Sequence, residues 1–471
     1  MNKTDGRSLL ARLEAHRDQG YLSLHMPGHK ENATLAPYLK ALGAELDITE
    51  LPDFDDLHAP EGILKESMAR AAALFGARRS FYQVNGSTGA LLAAIRGATR
   101  RGDKILMARH CHKAVYHAVE LCGLEPVYLL PPVAEGLSGP ISPEMVRAAL
   151  AAEPDVRLVV YPSPTYDGIL SDTAGICAAA HEKGVPVLVD EAHGAHLGLW
   201  EGFPQNAMQQ GADLAVASLH KLLPSLTQTA ILHVGGGLVP LPEVERQTGI
   251  FQSSSPSYLL LASMDACVGF LETEGPAAFA AWGRRLKEVR EGLQGLQHLR
   301  LVTGPYPMDP AKLVISTRHS ALNGVELKKQ LRETYKIELE MALDHYAVAM
   351  TGLGSDDAMP GRLSQALLAL DAAAGPAPEA PPEAEPLPPL PPQRMKLEDA
   401  ARQGGGFTFL YDGMGKISGE YIWAYPPGIP LITPGEEITV EVVETVEQLY
   451  RAGVKLIGTR GKPPFTTVVV E

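Results

Sequence analysis

Between about residues 57 and 270, short apolar runs alternate with longer segments whose apolar residues recur at helical spacing. Four of these runs are Lys104–Ala108, Arg157–Tyr161, Val185–Val189 and Asp213–Ala217. Runs this short and apolar are typical of strands that are buried on both faces of a sheet. The pattern therefore predicts an α/β domain with a mostly parallel sheet, and such sheets bind ligands at the carboxyl ends of their strands.

The pattern changes after about residue 275. We predict strands at Lys312–Ser316, Ile337–Met341 and Tyr346–Met350, and helices at Val325–Tyr335 and around Arg362. This mixture indicates a small α+β domain that is separate from the parallel sheet.

Beyond it, nine prolines between Pro376 and Pro392 are mixed with Ala and Glu, a composition typical of an extended connector. The turn-rich stretches Tyr425–Pro430 and Thr433–Glu436 then separate short strands. We therefore predict the following segments: an N-terminal segment (1–55), a large domain (56–274), a small α+β domain (275–374), a Pro-rich linker (375–393) and a C-terminal domain (394–471).

Composition narrows the class of protein without identifying a ligand. The 471 residues are 45% hydrophobic and 20% charged, as in globular proteins of several domains, and the net charge of -14 argues against nucleic acid as a partner. The four cysteines are scattered without a Cys-x-x-Cys pair, which fits a reducing compartment. The polar N-terminus does not resemble a signal peptide, and no apolar run is long enough to cross a membrane. We expect a cytoplasmic protein.

Two residues follow neighbouring apolar runs and carry the first indication of chemistry. Asp190 comes directly after Val185–Val189, and Lys221 follows Asp213–Ala217. A lysine can form an imine with the aldehyde of pyridoxal phosphate (PLP), while an acid can pair with the protonated pyridine nitrogen. The pair therefore favours a PLP site, although a capping acid and a lysine after a strand are common on their own.

The stretch Asn85–Gly89 (Asn-Gly-Ser-Thr-Gly) precedes a predicted helix at Ala90–Ala98. Small residues at a helix N-terminus expose backbone N–H groups, and the hydroxyls of Ser87 and Thr88 add further donors, so the stretch is suited to bind a phosphate. The alternative is an ordinary N-cap formed by Ser87 or Thr88.

Two histidine-rich stretches complete the candidate chemistry. His110-Cys-His-Lys113 follows the run Lys104–Ala108, where an imidazole can stack on a cofactor ring or move a proton, or simply face solvent. His25-Met-Pro-Gly-His-Lys30 cannot be helical because of Pro27 and Gly28, so it is a loop, either functional or a polar turn. Neither stretch has a third metal ligand at suitable spacing, and we predict no metal site.

Together these motifs resemble the Orn/Lys/Arg decarboxylase family of PLP enzymes, in particular its short bacterial members such as biosynthetic arginine decarboxylase. The matching segments occur in family order over nearly the whole chain: His25–Lys30, Asp56–Pro60, Asn85–Gly89, His110–Lys113, Pro164–Gly168, Asp190–His193, Ser218–Lys221, Ser254–Tyr258 and Tyr425–Gly428. The resemblance implies the PLP-dependent transferase fold of aspartate aminotransferase (fold type I).

The resemblance also implies roles for individual residues. Lys221 is the lysine that forms the imine with PLP, Asp190 pairs with the pyridine nitrogen, and His112 stacks on the ring. The other cofactor contacts implied are His193 and Thr165 near the phenolic oxygen, Ala192 against a ring face, and Ser87, Thr88, Ser218 and His220 around the phosphate. This chain has Ser163 where many members have Asn, which puts the local hydrogen bonding in question.

Members of this fold build their sites across a dimer interface, so the resemblance implies a homodimer or a dimer of dimers. Ser254 or Ser255 is then expected to reach the phosphate of the neighbouring subunit. The loop that carries His25, His29 and Lys30 is expected to face the substrate.

The implied reaction is removal of CO₂ from a basic amino acid, and we favour L-arginine, which gives agmatine for polyamine biosynthesis. Lysine and ornithine remain alternatives, because all three need an acidic distal pocket. Candidate acids are Glu340, Glu420, Asp344 and the run Asp53–Asp56.

Two other functions stay open. One is a fold type I aminotransferase or carbon–sulfur lyase, for which Arg318 or Arg362 would bind the α-carboxylate. The other is a regulator that keeps the fold without turnover.

Overall fold

The computed structural model describes residues 8–32, 34–35, 37–377, 387–403, 405–425 and 428–469. Residues 378–386, nearly half of the predicted Pro-rich linker, and Pro426 and Pro427 of the Tyr-Pro-Pro-Gly motif lie outside the described residues.

The helices and strands follow one another along the chain. From the N-terminus to residue 162 they are α1 (Leu9–Gln19), α2 (Pro37–Lys40), α3 (Ile63–Phe75), β1 (Arg79–Gln83), α4 (Gly86–Ala98), β2 (Lys104–Ala108), α5 (Lys113–Cys122), β3 (Glu125–Leu129), β4 (Val133–Ala134), β5 (Leu137–Ser138), α6 (Pro143–Ala152) and β6 (Val156–Pro162). Next come α7 (Thr173–His181), β7 (Val187–Asp190), β8 (Leu214–Ser218), α8 (Leu219–Leu222), β9 (Ala230–Val234), α9 (Leu241–Phe251), α10 (Tyr258–Thr273) and α11 (Gly275–Gly292). The remainder comprises β10 (Arg300–Leu301), β11 (Lys312–Ser316), α12 (Gly324–Tyr335), β12 (Met341–Ala342), β13 (Tyr346–Met350), α13 (Met359–Ala374), α14 (Leu397–Gln403), β14 (Gly405–Phe409), β15 (Ile422–Ala424), β16 (Ile429–Ile432), α15 (Val440–Arg451), β17 (Leu456–Gly458) and β18 (Phe465–Val469).

These elements form two compact units. The first comprises the described residues of Met1–Ala98 and Pro186–Ala281, and the second those of Thr99–Val185 and Trp282–Glu471. The boundaries of the five segments predicted from the sequence remain a prediction.

In the first unit the strands lie in the order β1, β9, β8, β7. β7 and β8 are parallel, whereas β9 is antiparallel to both β8 and β1. Every residue of β7, β8 and β9 is buried, as expected for strands with helices on both faces. β8 is shifted by one residue from the prediction because Asp213 does not enter it: its Oδ2 instead accepts a hydrogen bond from Val187 N at 2.9 Å, at the start of β7.

The second unit contains a parallel set and an antiparallel set of strands. β6, β2 and β3 are parallel neighbours in that order. β10, β11, β13 and β12 form an antiparallel sheet against which α12 and α13 pack, which is the predicted α+β arrangement. The predicted strand Ile337–Met341 is wrong for most of its length, because its alternating burial is kept but ladder pairing with β13 begins only at Met341.

The end of the chain, residues 394–469, is called the C-terminal segment below. It contains a β14–β18 pair, a three-stranded set in the order β16, β15, β17, and the amphipathic helix α15. Val442, Val443 and Val446 of α15 pack with Ile422 and Leu431 in one apolar cluster. No helix among the described residues is both long and apolar enough to cross a membrane.

Candidate active site

Asp190 and Lys221 lie at the carboxyl ends of two neighbouring parallel strands. Asp190 is the last residue of β7, and the pairing of β7 with β8 places it opposite Val216. β8 ends two residues later at Ser218, and the short helix α8 that follows carries Lys221. The structure therefore brings the carboxylate and the amine to the same edge of the first unit, as their positions in the sequence predict.

Asp190 is a buried carboxyl group, 5% exposed. Its Oδ1 accepts a hydrogen bond from Ala192 N at 3.2 Å, so Ala192 lies directly beside this carboxylate. Burial raises the pKa of Asp190, and the charge of Lys221 and the hydrogen bond from Ala192 offset part of that rise. A buried carboxylate with a raised pKa gains most from a cationic partner, which a protonated pyridine nitrogen would supply.

Lys221 contacts His193 directly, with 2.9 Å between Lys221 Nζ and His193 Nε2. His193 is buried just past the end of β7. An ammonium has three donors and no acceptor, so Nζ donates and the imidazole accepts through Nε2 in its neutral form. This contact positions the amine and gives its proton an acceptor within reach.

The phosphate candidates meet at the N-terminus of α4. The helix begins at Gly86, so Ser87 and Thr88 lie in its first turn, and the alternative of an N-cap by either residue is wrong. The first hydrogen bond into the helix is from Gly89 N to Asn85 O at 3.2 Å, which leaves the N–H groups of the first three residues without intrahelical acceptors.

The two hydroxyls of Ser87 and Ser218 lie 2.6 Å apart, so the end of β8 and the start of α4 present adjacent donors. Gly86 has φ +67°, a backbone conformation that favours glycine where the chain turns from β1 into α4. The hydroxyl pair and the open helix N-terminus together form an anion-binding arrangement of the kind that a phosphate needs.

His220 is a less direct phosphate candidate. Its Nδ1 lies 2.8 Å from Thr229 O and donates to that carbonyl, and burial lowers the pKa of the imidazole. In the neutral form Nε2 is therefore an acceptor, so His220 can donate to a phosphate only when it is protonated.

His112 and Thr165 belong to the second unit. His112 is the N-cap of α5, and its Nδ1 accepts a hydrogen bond from Ala114 N at 3.2 Å, which fixes the ring orientation. Thr165 is buried, and its Oγ1 accepts from Ile169 N at 3.0 Å. The neighbouring Ser163, the departure from the family pattern, accepts a hydrogen bond from Ser171 N at 3.1 Å.

The serines and the N-terminal loop lie in the first unit. Ser254 and Ser255 are exposed in this single chain. His29 Nε2 lies 3.3 Å from Asp47 Oδ2, and Lys30 Nζ donates to His25 O. These contacts order the loop, but none of them involves the residues around Lys221.

The acidic residues proposed for the substrate pocket differ in their burial and in their hydrogen-bond partners. Glu340 is half-buried and accepts a hydrogen bond from the hydroxyl of Tyr166, a residue that the sequence reading did not single out. Asp344 lies 3.5 Å from His345 Nε2 and is half-buried. Asp55 of the acidic run accepts from the backbone N–H groups of Gly62 and Leu64 and so caps the start of α3.

The structure does not support Glu420 as an acid of the substrate pocket. It is buried, and its carboxylate accepts from Thr467 N at 2.6 Å, Arg460 N at 2.6 Å and Gly461 N at 2.8 Å. Both oxygens are thus used by the backbone of the C-terminal segment. This geometry gives Glu420 a structural role and argues against contact with a substrate.

The structure also contains a buried ion pair that the sequence did not indicate. Arg109, next to the histidines of His110–Lys113, makes a two-pronged contact with Glu436 at 2.6 and 2.9 Å. An arginine beside the motif and a glutamate after Thr-Pro-Gly were visible in the sequence, but nothing in either one indicated that they meet.

Comparison with known proteins gives a family and a fold. Residues 8–313 match the family model described as Orn/Lys/Arg decarboxylase, major domain. The arginine decarboxylase of Halalkalibacterium halodurans is 34% identical over 97% of this chain and 96% of its own length. The arginine decarboxylase of Bacillus subtilis is 33% identical over 95% and 94%.

Two solved structures show the fold. Francisella novicida lysine decarboxylase superposes with a TM-score of 0.82 at 18% identity, covering 98% of this chain and 81% of that one. Ureidoglycine-glyoxylate aminotransferase from Bacillus subtilis has a TM-score of 0.56 at 14% identity and covers 68% and 87%. The predicted fold class, that of PLP-dependent fold type I enzymes, is thereby confirmed.

Proposed function

Because the chain belongs to the Orn/Lys/Arg decarboxylase family, we propose that it is a PLP-dependent decarboxylase that converts L-arginine to agmatine and CO₂. The observation that carries the proposal is the grouping of Lys221, buried Asp190 and the Ser87–Ser218 hydroxyl pair in the first unit. The identities of the two relatives named arginine decarboxylase support arginine over lysine or ornithine.

The residues present fit PLP. The cofactor needs an amine for its aldehyde, an anion beside its pyridine nitrogen and donors for its phosphate. Lys221, Asp190 and the N-terminus of α4 with Ser87, Thr88 and Ser218 supply one of each. When bound, PLP supplies an electron sink for the electron pair that the departing CO₂ leaves behind.

The chain's own residues then have separate tasks. Lys221 holds the cofactor and frees its amine when the substrate amine arrives. His193, at 2.9 Å, accepts and returns a proton at Lys221 Nζ. Asp190 keeps a negative charge in a buried position, and an opposite charge about 4 Å away at an effective dielectric of about 20 is favoured by roughly 4 kcal/mol. His112 is the residue proposed to stack on the PLP ring. In the overall reaction, one proton takes the place of CO₂ at the α-carbon of the substrate.

We further propose a homodimer. Tyr21, Leu22, Leu24 and Met26 of the N-terminal segment are exposed, Leu22 and Leu24 each by 84%. Apolar side chains grouped in this way on a surface indicate contact with another protein surface, and a second copy of this chain is the partner that the fold implies. Ser254 and Ser255, also exposed, are the residues proposed to reach the partner's phosphate site. A cytoplasmic location stays a prediction.

The test of the dimer is the mass in solution. The double variant Leu22→Ser/Leu24→Ser should shift light-scattering mass from two chains towards one. Leu121→Ser, which changes an exposed leucine on α5, is the control and should leave the mass unchanged.

The test of the activity is incubation of the purified protein and PLP with arginine, lysine or ornithine in turn, with CO₂, amine and keto acid measured. Release of CO₂ and agmatine from arginine is the expected result. Keto acid without CO₂ would instead indicate an aminotransferase, for which Arg318 or Arg362 would bind the α-carboxylate. A PLP-binding protein without turnover on any of the three would indicate a regulator.

A further inference from the structure

The chain that leads from β2 into α5 is held by a buried ion pair. Arg109 directly follows β2, and its Nη1 and Nη2 donate to Glu436 Oε1 and Oε2 at 2.6 and 2.9 Å. Both side chains are buried, and the Arg109 carbonyl accepts from Tyr116 OH at 2.6 Å. The guanidinium also lies 4.8 Å from the centre of the Tyr128 ring. A bidentate contact between a guanidinium and a carboxylate fixes the orientation of both groups.

Glu436 is itself fixed within the C-terminal segment. Its Oε2 accepts from Thr433 N at 2.8 Å, and its backbone N donates to Thr433 O at 3.2 Å. The carboxylate therefore has little freedom, and the position of Arg109 follows from the fold of the C-terminal segment.

A second contact from the same segment reaches His112. A Cβ added at Gly428 would lie 3.8 Å from His112 Cδ2 and 3.8 Å from Lys113 Cδ, so the Gly428 backbone packs beside the imidazole. Gly428 has φ +92°, where glycine is favoured. On the other side of the His112 ring, Nδ1 accepts the N-cap hydrogen bond from Ala114 N, which fixes the ring orientation.

We propose that Glu436 and Gly428 are positioning residues for His112: together they set the position and orientation of its imidazole, which the proposed function assigns to contact with PLP. Arg109 transmits the position of Glu436 over three residues to His112, and Gly428 limits movement of the ring. The inference rests on the proposed function, since it needs PLP and a stacking His112.

A contact at the other end of β2 provides a matched control. Arg101, just before β2, pairs with Glu398 of α14, so the C-terminal segment contacts the chain on both sides of this strand. The Arg101 side chain is 61% exposed and lies at the end of β2 opposite to His112. Loss of Glu398 should therefore weaken the same attachment without moving the imidazole.

The experiment is a double-mutant cycle on the full-length protein. PLP is titrated into apoprotein of wild type, Glu436→Gln, His112→Gln and the double variant, and the Kd and the visible circular dichroism of bound PLP are recorded. Glu436→Gln should raise the Kd about tenfold, within the range for residues in one interaction network, and should alter the dichroism in the same direction as His112→Gln. The double variant should be no worse than His112→Gln.

Glu398→Gln should leave the Kd and the dichroism at wild-type values, and its effects should add to those of His112→Gln. Gly428→Ala, which leaves the ion pair intact, is the second variant and should shift the dichroism in the direction of His112→Gln. Additive effects of Glu436→Gln and His112→Gln, or unchanged dichroism in both Glu436→Gln and Gly428→Ala, would overturn the inference.

Failure of the proposed function gives a different result. In that case wild-type protein does not bind PLP, or binds it equally well after Lys221→Ala. If wild type binds PLP through Lys221 and His112→Gln changes the dichroism while Glu436→Gln does not, the proposed function stands and the positioning role falls.

Discussion

Buried carboxylates occur both at the carboxyl end of β7 and in the C-terminal segment, but their surroundings differ. Glu420 and Glu436 are surrounded by backbone N–H groups or by an arginine that neutralises them. Asp190 accepts from one backbone N–H, and burial raises its pKa despite the nearby Lys221. The first kind stabilises the fold, whereas a carboxyl group whose charge is poorly compensated is typical of a site that binds a ligand.

The largest expected effect is that of Lys221→Ala. The variant lacks the only amine proposed to attach PLP, so turnover should fall by at least about 10³-fold, as for other residues that act directly in a reaction. The visible absorbance of bound PLP should also disappear. Lys287→Ala, on the exposed face of α11, is the control, and retained absorbance in Lys221→Ala would contradict the assignment.

Asp190→Asn should have the next largest effect. The amide keeps the shape of the side chain but loses its charge, so the protein should still bind some PLP while kcat falls by about 10²–10³-fold. The adjacent Glu191→Gln is the matched control, because burial raises the pKa of Glu191 to about 8 and the carboxyl group is therefore largely neutral near pH 7. Near-wild-type kcat in Asp190→Asn would remove Asp190 from the site.

Glu420→Gln should affect stability instead of catalysis. Three backbone N–H groups lose their charged acceptor, so the free energy of unfolding should fall by about 2–3 kcal/mol. KM for arginine should change by less than about twofold, since a structural carboxylate contributes to folding and not to differential binding of the substrate. Urea unfolding and steady-state kinetics on one preparation measure both. A large rise in KM with unchanged stability would restore Glu420 as a substrate residue.

The smallest effect is expected in the pH dependence of stability. Burial raises the pKa of Glu191 to about 8, so the folded protein binds this proton more tightly than the unfolded chain, whose glutamates titrate near about 4.3. The stabilisation is present below the unfolded pKa and is lost as pH rises towards 8.

Between pH 5 and pH 8 the wild type should therefore lose at least about 1.4 kcal/mol, the value of one pKa unit, relative to Glu191→Gln. Chemical unfolding at a series of pH values measures the difference. Parallel curves for the two proteins would show that Glu191 is ionised in the fold.

The sequence was informative where the physical pattern is local. Short apolar runs predicted β2, β11 and β13 with their observed bounds, since a buried strand needs continuous apolar residues. The strand predicted at Ile337–Met341 was wrong for most of its length. Alternating polar and apolar residues indicate which face is buried, but not whether a neighbouring strand is present to pair with it. The phosphate-binding role of Ser87 and Thr88 stays a prediction, and it is the start of α4 at Gly86, four residues before the predicted start at Ala90, that places both in the first turn.

By itself the sequence determined the α/β class and the presence of Asp190 and Lys221 at strand ends, because the order of strands along a parallel sheet brings their carboxyl ends to one edge. It also carried the family motifs. Only the tertiary structure decided which acids are structural and which are available. Glu420 and Glu340 are the same residue type in the sequence, but the donors around them differ: Glu420 accepts from backbone N–H groups 40 or more positions away, whereas Glu340 accepts from the hydroxyl of Tyr166. The Arg109–Glu436 pair likewise depends on a contact across 327 positions, which no local pattern encodes.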